Sequence, residues 1–106
     1  MISVHSPLLK EISKRQIETD PIWISDYVWD HHLDPIDKEI YELLEVRYPL
    51  GYPAEEILKR LIDMNPEENE DYRIQDVWDA LDISLKDYVV KKGRGFWSLK
   101  GEINLD

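Results

Sequence analysis

The sequence predicts a mainly helical α+β fold: a three-helix core followed by a C-terminal β-hairpin, with an N-terminal extension ahead of them. Three observations carry this. Apolar residues recur at helical spacing in three successive segments between Asp34 and Leu85. The period then changes to a β-prone run, Tyr88-Val89-Val90, a turn at Lys92-Gly93-Arg94-Gly95, and a returning run, Phe96-Trp97-Ser98-Leu99. The length, 106 residues, is one domain's worth, and 42% apolar with 34% charged residues is a globular composition. These features divide the chain into an aromatic-rich extension (1–33), a helix-and-hairpin domain (34–100) and a short tail (101–106).

The first helix begins at Asp34-Pro35-Ile36-Asp37, a capping carboxylate with proline at the first helical position and an acid in the first turn. Ile36, Ile40, Leu43 and Leu44 form its apolar face, and Pro49 and Gly51 stop it. Pro53 opens the second helix. Its buried stripe is Ala54, Ile57, Leu58 and Leu61, and Glu55–Lys59 and Glu56–Arg60 are favourable pairs on its solvated side. Asp63 to Asp71, with five acids and almost no apolar residue, reads as an exposed loop. The third helix runs from about Tyr72 to Ser84. Ile74, Val77, Trp78, Leu81 and Leu85 are expected in the core, and Gln75, Asp79, Asp82 and Lys86 face outward with Asp76 beside them. Trp97 is expected to pack inward from the returning strand.

In the extension, Ser6 to Ile17 reads as a short helix that Asp20-Pro21 breaks. Ile22 to Trp29 is read as helical, which places Trp23 near Tyr27 and Ile24 near Val28. Trp23, Tyr27 and Trp29 are of types enriched at interfaces. They serve either a homodimer contact or the cover of one side of a small core, and both stay open.

Composition excludes several classes. There is no cysteine, hence no disulfide and no thiolate metal site. No window approaches the roughly 20 apolar residues of a membrane span, and Met1 to Pro7 lacks the pattern of a secretory signal, so a cytoplasmic protein is expected. No nucleophile elbow, phosphate loop or zinc-protease helix is present. His31-His32 lies between Asp30 and Asp34, but adjacent histidines point apart and no further ligand stands at a useful spacing. No catalytic residue, metal or cofactor is therefore expected. The net charge of −10 is uneven. Residues 1–35 carry three basic and six acidic groups, residues 36–85 five and fourteen, and residues 86–106 five and three. Only the hairpin region is net positive.

Three helices followed by a glycine-turned hairpin resemble the winged helix-turn-helix superfamily. The resemblance is sharpest from Leu81-Asp82-Ile83-Ser84-Leu85-Lys86-Asp87-Tyr88 through Val89-Val90-Lys91-Lys92-Gly93-Arg94-Gly95 to Phe96-Trp97-Ser98-Leu99, and covers about Asp34 to Lys100. It implies double-stranded DNA as partner, with the third helix in the major groove and the hairpin, or wing, on the backbone or in the minor groove. Carried over by position, the DNA-binding residues are Arg73, Gln75 and Lys86 on the helix and Lys91, Lys92 and Arg94 on the wing. Asp76, Asp79 and Asp82 depart from the pattern by facing outward, so the wing is the stronger contact. The expected function is a DNA-binding regulator of transcription or replication. The alternative is an acidic module that docks on a basic protein or stands in for DNA.

Overall fold

The computed structural model describes residues 17–104, and the core it shows is built by three helices and a small sheet. Strand β1 (Ile17–Pro21) leads to helix α1 (Asp26–His31), whose first turn is capped by Ser25, its Oγ accepting from the Val28 N–H at 3.3 Å. Helix α2 (Pro35–Arg47) starts as its sequence dictates. Pro35 takes the first turn, and the Asp34 N–H donates to Asp37 Oδ2 at 2.8 Å. Its Ile40, Tyr41 and Leu44 are buried. Strand β2 (Tyr52–Pro53) runs directly into helix α3 (Ala54–Met64), which buries Ala54, Ile57 and Leu61. A single helical turn, α4 (Pro66–Asn69), precedes α5 (Ile74–Asp79), which continues as a π-helical turn over Ala80–Ser84. Strands β3 (Val89–Lys91) and β4 (Phe96–Leu99) form the expected hairpin, and β5 (Gly101–Asn104) ends the described chain.

The strands form two antiparallel groups. β2, β4 and β3 lie side by side with β4 in the centre, in the register Tyr52↔Trp97, Lys91↔Trp97 and Val89↔Leu99. β1 pairs with β5, and the Ile22 N–H extends that ladder by donating to the Lys100 carbonyl at 2.8 Å. The segments on either side of the helix-and-hairpin unit thus pair with each other.

A close backbone approach seats β2. Gly51 has φ +73°, and a Cβ there would overlap the carbonyl group of Trp97 and the Cα of Ser98. Only glycine meets both conditions at low cost, and this allows a strand of two residues, one of them proline, to lie against β4. Nothing in two residues announces a strand, so the sequence alone does not reveal it.

Other differences have physical reasons. The stretch from Asp63 to Asp71 is not all loop: α3 extends to Met64, and α4 buries Asn69. The Asn69 amide donates to the Leu61 carbonyl at 2.7 Å and to Glu39 Oε1 at 2.8 Å. A polar residue satisfied in this way is buried without an apolar signature. Trp78 is 42% exposed rather than in the core, because the inward arc of α5 centres on Val77, Ala80 and Leu81. One residue's rotation of about 100° carries Trp78 to the flank. Trp97 is half-buried and packs against the core, as expected. Residues 22–25 precede α1 instead of joining it, and Ile17–Pro21 is a strand. The helix expected over Ser6–Ile17 lies outside the described residues except for Ile17. Among the described residues no helix is long and apolar enough to cross a membrane.

Candidate nucleic-acid interface

The hairpin tip is a tight turn closed by the Lys92 N–H donating to the Phe96 carbonyl at 2.7 Å. Arg94 sits at its apex with φ 66° and ψ 20°, followed by Gly95 at φ +78°. The left-handed pair turns the chain sharply and leaves the Arg94 side chain exposed. Lys91 precedes the turn opposite Trp97, and its Nζ lies 5.9 Å from the Trp97 ring centroid. Lys92 turns back instead: its Nζ donates to the Pro49 carbonyl at 3.2 Å, tying the hairpin to the connection between α2 and β2.

Lys91, Arg94 and Trp97 form one side of an open groove of about 430 Å³. Trp78 and Asp82 of α5 line another side, and Ala54 and Glu55, at the start of α3, a third. The groove therefore carries two cations, two carboxylates and two indoles. The carboxylates share the groove's lining with the cations and weaken the field that these present to an anion.

The other expected DNA contacts are placed differently. Arg73 caps α5. Its N–H donates to Asp76 Oδ2 at 2.8 Å, and its guanidinium donates to the carbonyls of Tyr72 and Glu70 at 3.3 and 3.4 Å. The Gln75 amide donates to Asp79 Oδ1 at 2.8 Å along the same helix. Lys86 is exposed beyond the π-helical turn. Of the six residues, the fold brings Lys91 and Arg94 together in the groove, while Arg73 and Gln75 make bonds within their own segment. The exposed surface of α5 and of the π-helical turn after it carries Gln75, Asp76, Asp79 and Asp82 with Trp78 and Ile83.

Two cations that sequence reasoning did not single out lie beside the same sheet. The Arg47 and Arg60 guanidinium carbons are 5.0 and 4.6 Å from the Tyr52 ring centroid, and Tyr52 pairs with Trp97. Glu56 holds Arg60 at 2.9 Å. No local motif could have joined residues 47, 52 and 60; the passage of β2 onto the sheet does so. On the far side of α5 a hollow of about 270 Å³ is lined by Asp34, Asp37, Asp76 and Asp79 with Tyr72 and Ser84. Burial raises the Asp37 carboxyl above its ordinary range, against hydrogen bonds to Asp34 and Ser84 that lower it. Burial also raises the Tyr72 phenol, with Glu39 and neighbouring carboxylates adding to the shift. Among the described residues no three His, Cys, Asp or Glu side chains are grouped to hold a metal ion. His31 and His32 are exposed and lie against Tyr27, at ring-centroid distances of 4.6 and 5.4 Å.

Compared with protein-family models, with curated proteins and with solved structures, the chain matches none of them.

Proposed function

We propose that the chain is a winged helix-turn-helix protein that binds duplex DNA through its wing, as a regulator of transcription or replication. The order α2, β2, α3, α5, β3, β4 supports the fold, with the short strand β2 added to the hairpin on the β4 side. The observation that carries the function is the placing of Lys91 and Arg94 on one wall of the groove between hairpin and α5. A sugar–phosphate backbone lying in that groove meets both cations, and Arg94, at the apex of a two-glycine turn, has the reach to enter a minor groove. Helix α5 contributes little to base reading. Its outward Asp76, Asp79 and Asp82 repel phosphates and meet mostly acceptors on base edges.

The test uses the two signs of charge in the groove. Replacing Lys91 and Arg94 by alanine sharply weakens binding to random duplex at low ionic strength and flattens its salt dependence. Replacing Glu55 by glutamine and Asp82 by asparagine tightens it several-fold. DNA affinity that responds to neither pair overturns the reading, because the groove is then not the contact.

The face of α5 favours a second reading, a module that docks on a basic protein. Trp78 and Ile83, 42% and 68% exposed, are apolar anchors among three carboxylates. This reading expects charge reversal at Asp76 and Asp79 to release a purified basic partner and the wing substitutions to leave it bound.

A further inference from the structure

Away from the wing, an open cavity of about 280 Å³ lies where the segment before α1 crosses α2. Among the described residues its lining is Trp23, Ile24, Trp29 and Tyr41 with three carboxylates, Asp26, Glu42 and Glu45, and no lysine or arginine. Trp29 and Tyr41 meet nearly at right angles, 77° between planes and 5.7 Å between centroids, so they form two walls of a corner. Trp23 is 61% exposed, which leaves much of its indole open to a ligand at the cavity.

That exposed side chain nevertheless stands on a fixed backbone. On one side of it, Ile22 donates its N–H to the Lys100 carbonyl, and its own carbonyl accepts from the Tyr41 hydroxyl at 3.2 Å. On the other side, Ile24 packs against the core. Trp23 is thus held at the cavity without being buried in it. The Tyr41 phenol, raised by burial and then by Glu45, stays neutral and keeps its hydroxyl as a donor.

Aromatic faces attract cations through their quadrupole, and carboxylates around them add a field of the same sense. Among the described residues no lysine or arginine forms an ion pair with Asp26, Glu42 or Glu45. Trp29 already draws one ammonium, with Lys38 Nζ 6.0 Å from its centroid. The cavity is smaller than the roughly 300–1,000 Å³ of sites that take drug-sized ligands, so it suits a head group. Indole and phenol walls offer an apolar surface that a quaternary ammonium fills without giving up strong hydrogen bonds to water. We propose that the cavity formed by Trp23, Trp29 and Tyr41 with Asp26, Glu42 and Glu45 is a binding site for a trimethylammonium group. The group belongs to a free small molecule such as choline or to a trimethylated lysine side chain. Among the described residues the site shares no lining residue with the wing groove, so each stands or falls without the other.

The experiment is an NMR titration of the full chain, following the indole N–H resonances of Trp23 and Trp29. The probes are choline, its neutral tert-butyl isostere, a trimethyllysine peptide and the same peptide unmethylated. Choline is expected to give a saturable shift, with the neutral isostere about tenfold weaker or worse. Trp23→Ala weakens binding at least about fivefold, and Glu42→Gln with Glu45→Gln weakens it and reduces its salt dependence. All these positions are at the surface or half-buried, and unchanged thermal unfolding confirms that the variants fold. A trimethyllysine peptide binding well above choline assigns the group to a protein side chain, and equal affinities assign it to a free head group; both outcomes support the site. Absence of a saturable shift with every trimethylammonium probe overturns it. So does equal binding of the neutral isostere or of the unmethylated peptide, or full affinity in Trp23→Ala.

Discussion

Replacing Gly51 by alanine tests the seat of β2, on which the winged-helix reading depends. Two costs combine. A left-handed backbone costs an L-residue roughly 1–2 kcal/mol. The added Cβ also meets the backbone of Trp97 and Ser98, which no rotamer change relieves, so β2 must lift from β4. Lifting it exposes Tyr52, now 8% exposed, and forfeits about 2 kcal/mol of burial. The sum is about 3–4 kcal/mol, a large part of the roughly 5–15 kcal/mol that typical domains possess. Two other glycines supply the scale. Gly95, at φ +78° with nothing within 4 Å of where a Cβ would stand, carries the conformational cost alone, about 1–2 kcal/mol. Gly93 carries neither cost, and alanine there is neutral or stabilising by up to about 1 kcal/mol. Urea unfolding followed by tryptophan fluorescence measures all three, and Gly51→Ala should lower Tm by more than about 12 °C. If it costs no more than Gly95→Ala, the contact with Trp97 is absent and the sheet loses its third strand.

Asn69→Ala, in a stretch whose sequence looks like loop, should cost about 1–3 kcal/mol in urea unfolding because it removes the buried amide that donates to Glu39 Oε1 and to the Leu61 carbonyl, which keeps only the Asn65 N–H at 3.3 Å. A cost below about 0.5 kcal/mol, as for an ordinary surface position, would contradict this. Trp78→Ala should cost less than about 1 kcal/mol in the same assay, against the roughly 3–5 kcal/mol expected for a tryptophan in the core. Asp37 supplies a pH signature. Its folded pKa is raised by burial, so the folded state holds its proton better than the unfolded chain does. Its contribution is full below the ordinary value of 3.8 and is lost as pH rises through the folded pKa. Stability measured across that window should therefore rise on acidification in the parent chain and less steeply in Asp37→Asn; parallel profiles would remove the argument.

What was legible in the sequence is what local chemistry controls. Helices α2 and α3 carry start signals and an apolar period that tertiary structure has no reason to override, and the β3–β4 hairpin is announced by two glycines around Arg94. What was illegible arises between distant segments. Strand β2 exists because Gly51 fits against Trp97, and α4 hides an asparagine whose partners come from Leu61 and Glu39. Trp78 fails by a single step of helical rotation, which periodicity cannot resolve when the buried arc is narrow. At the candidate interface the charges of Lys91 and Arg94 could be read from the turn. The return of Lys92 to Pro49, and the approach of Arg47 and Arg60 to Tyr52, could not. The aromatic corner of Trp29 and Tyr41 is likewise a product of packing, since neither residue stands in a motif.

The salt dependence of binding to random duplex DNA, measured by fluorescence anisotropy on the full chain, tests the wing-led account most directly. Lys91 and Arg94 each neutralise one phosphate, so log K should fall against log salt concentration with a slope of about −2. The slope should approach zero when both become alanine. Absence of binding at low ionic strength, or a slope that the double substitution leaves intact, would contradict DNA recognition by this hairpin.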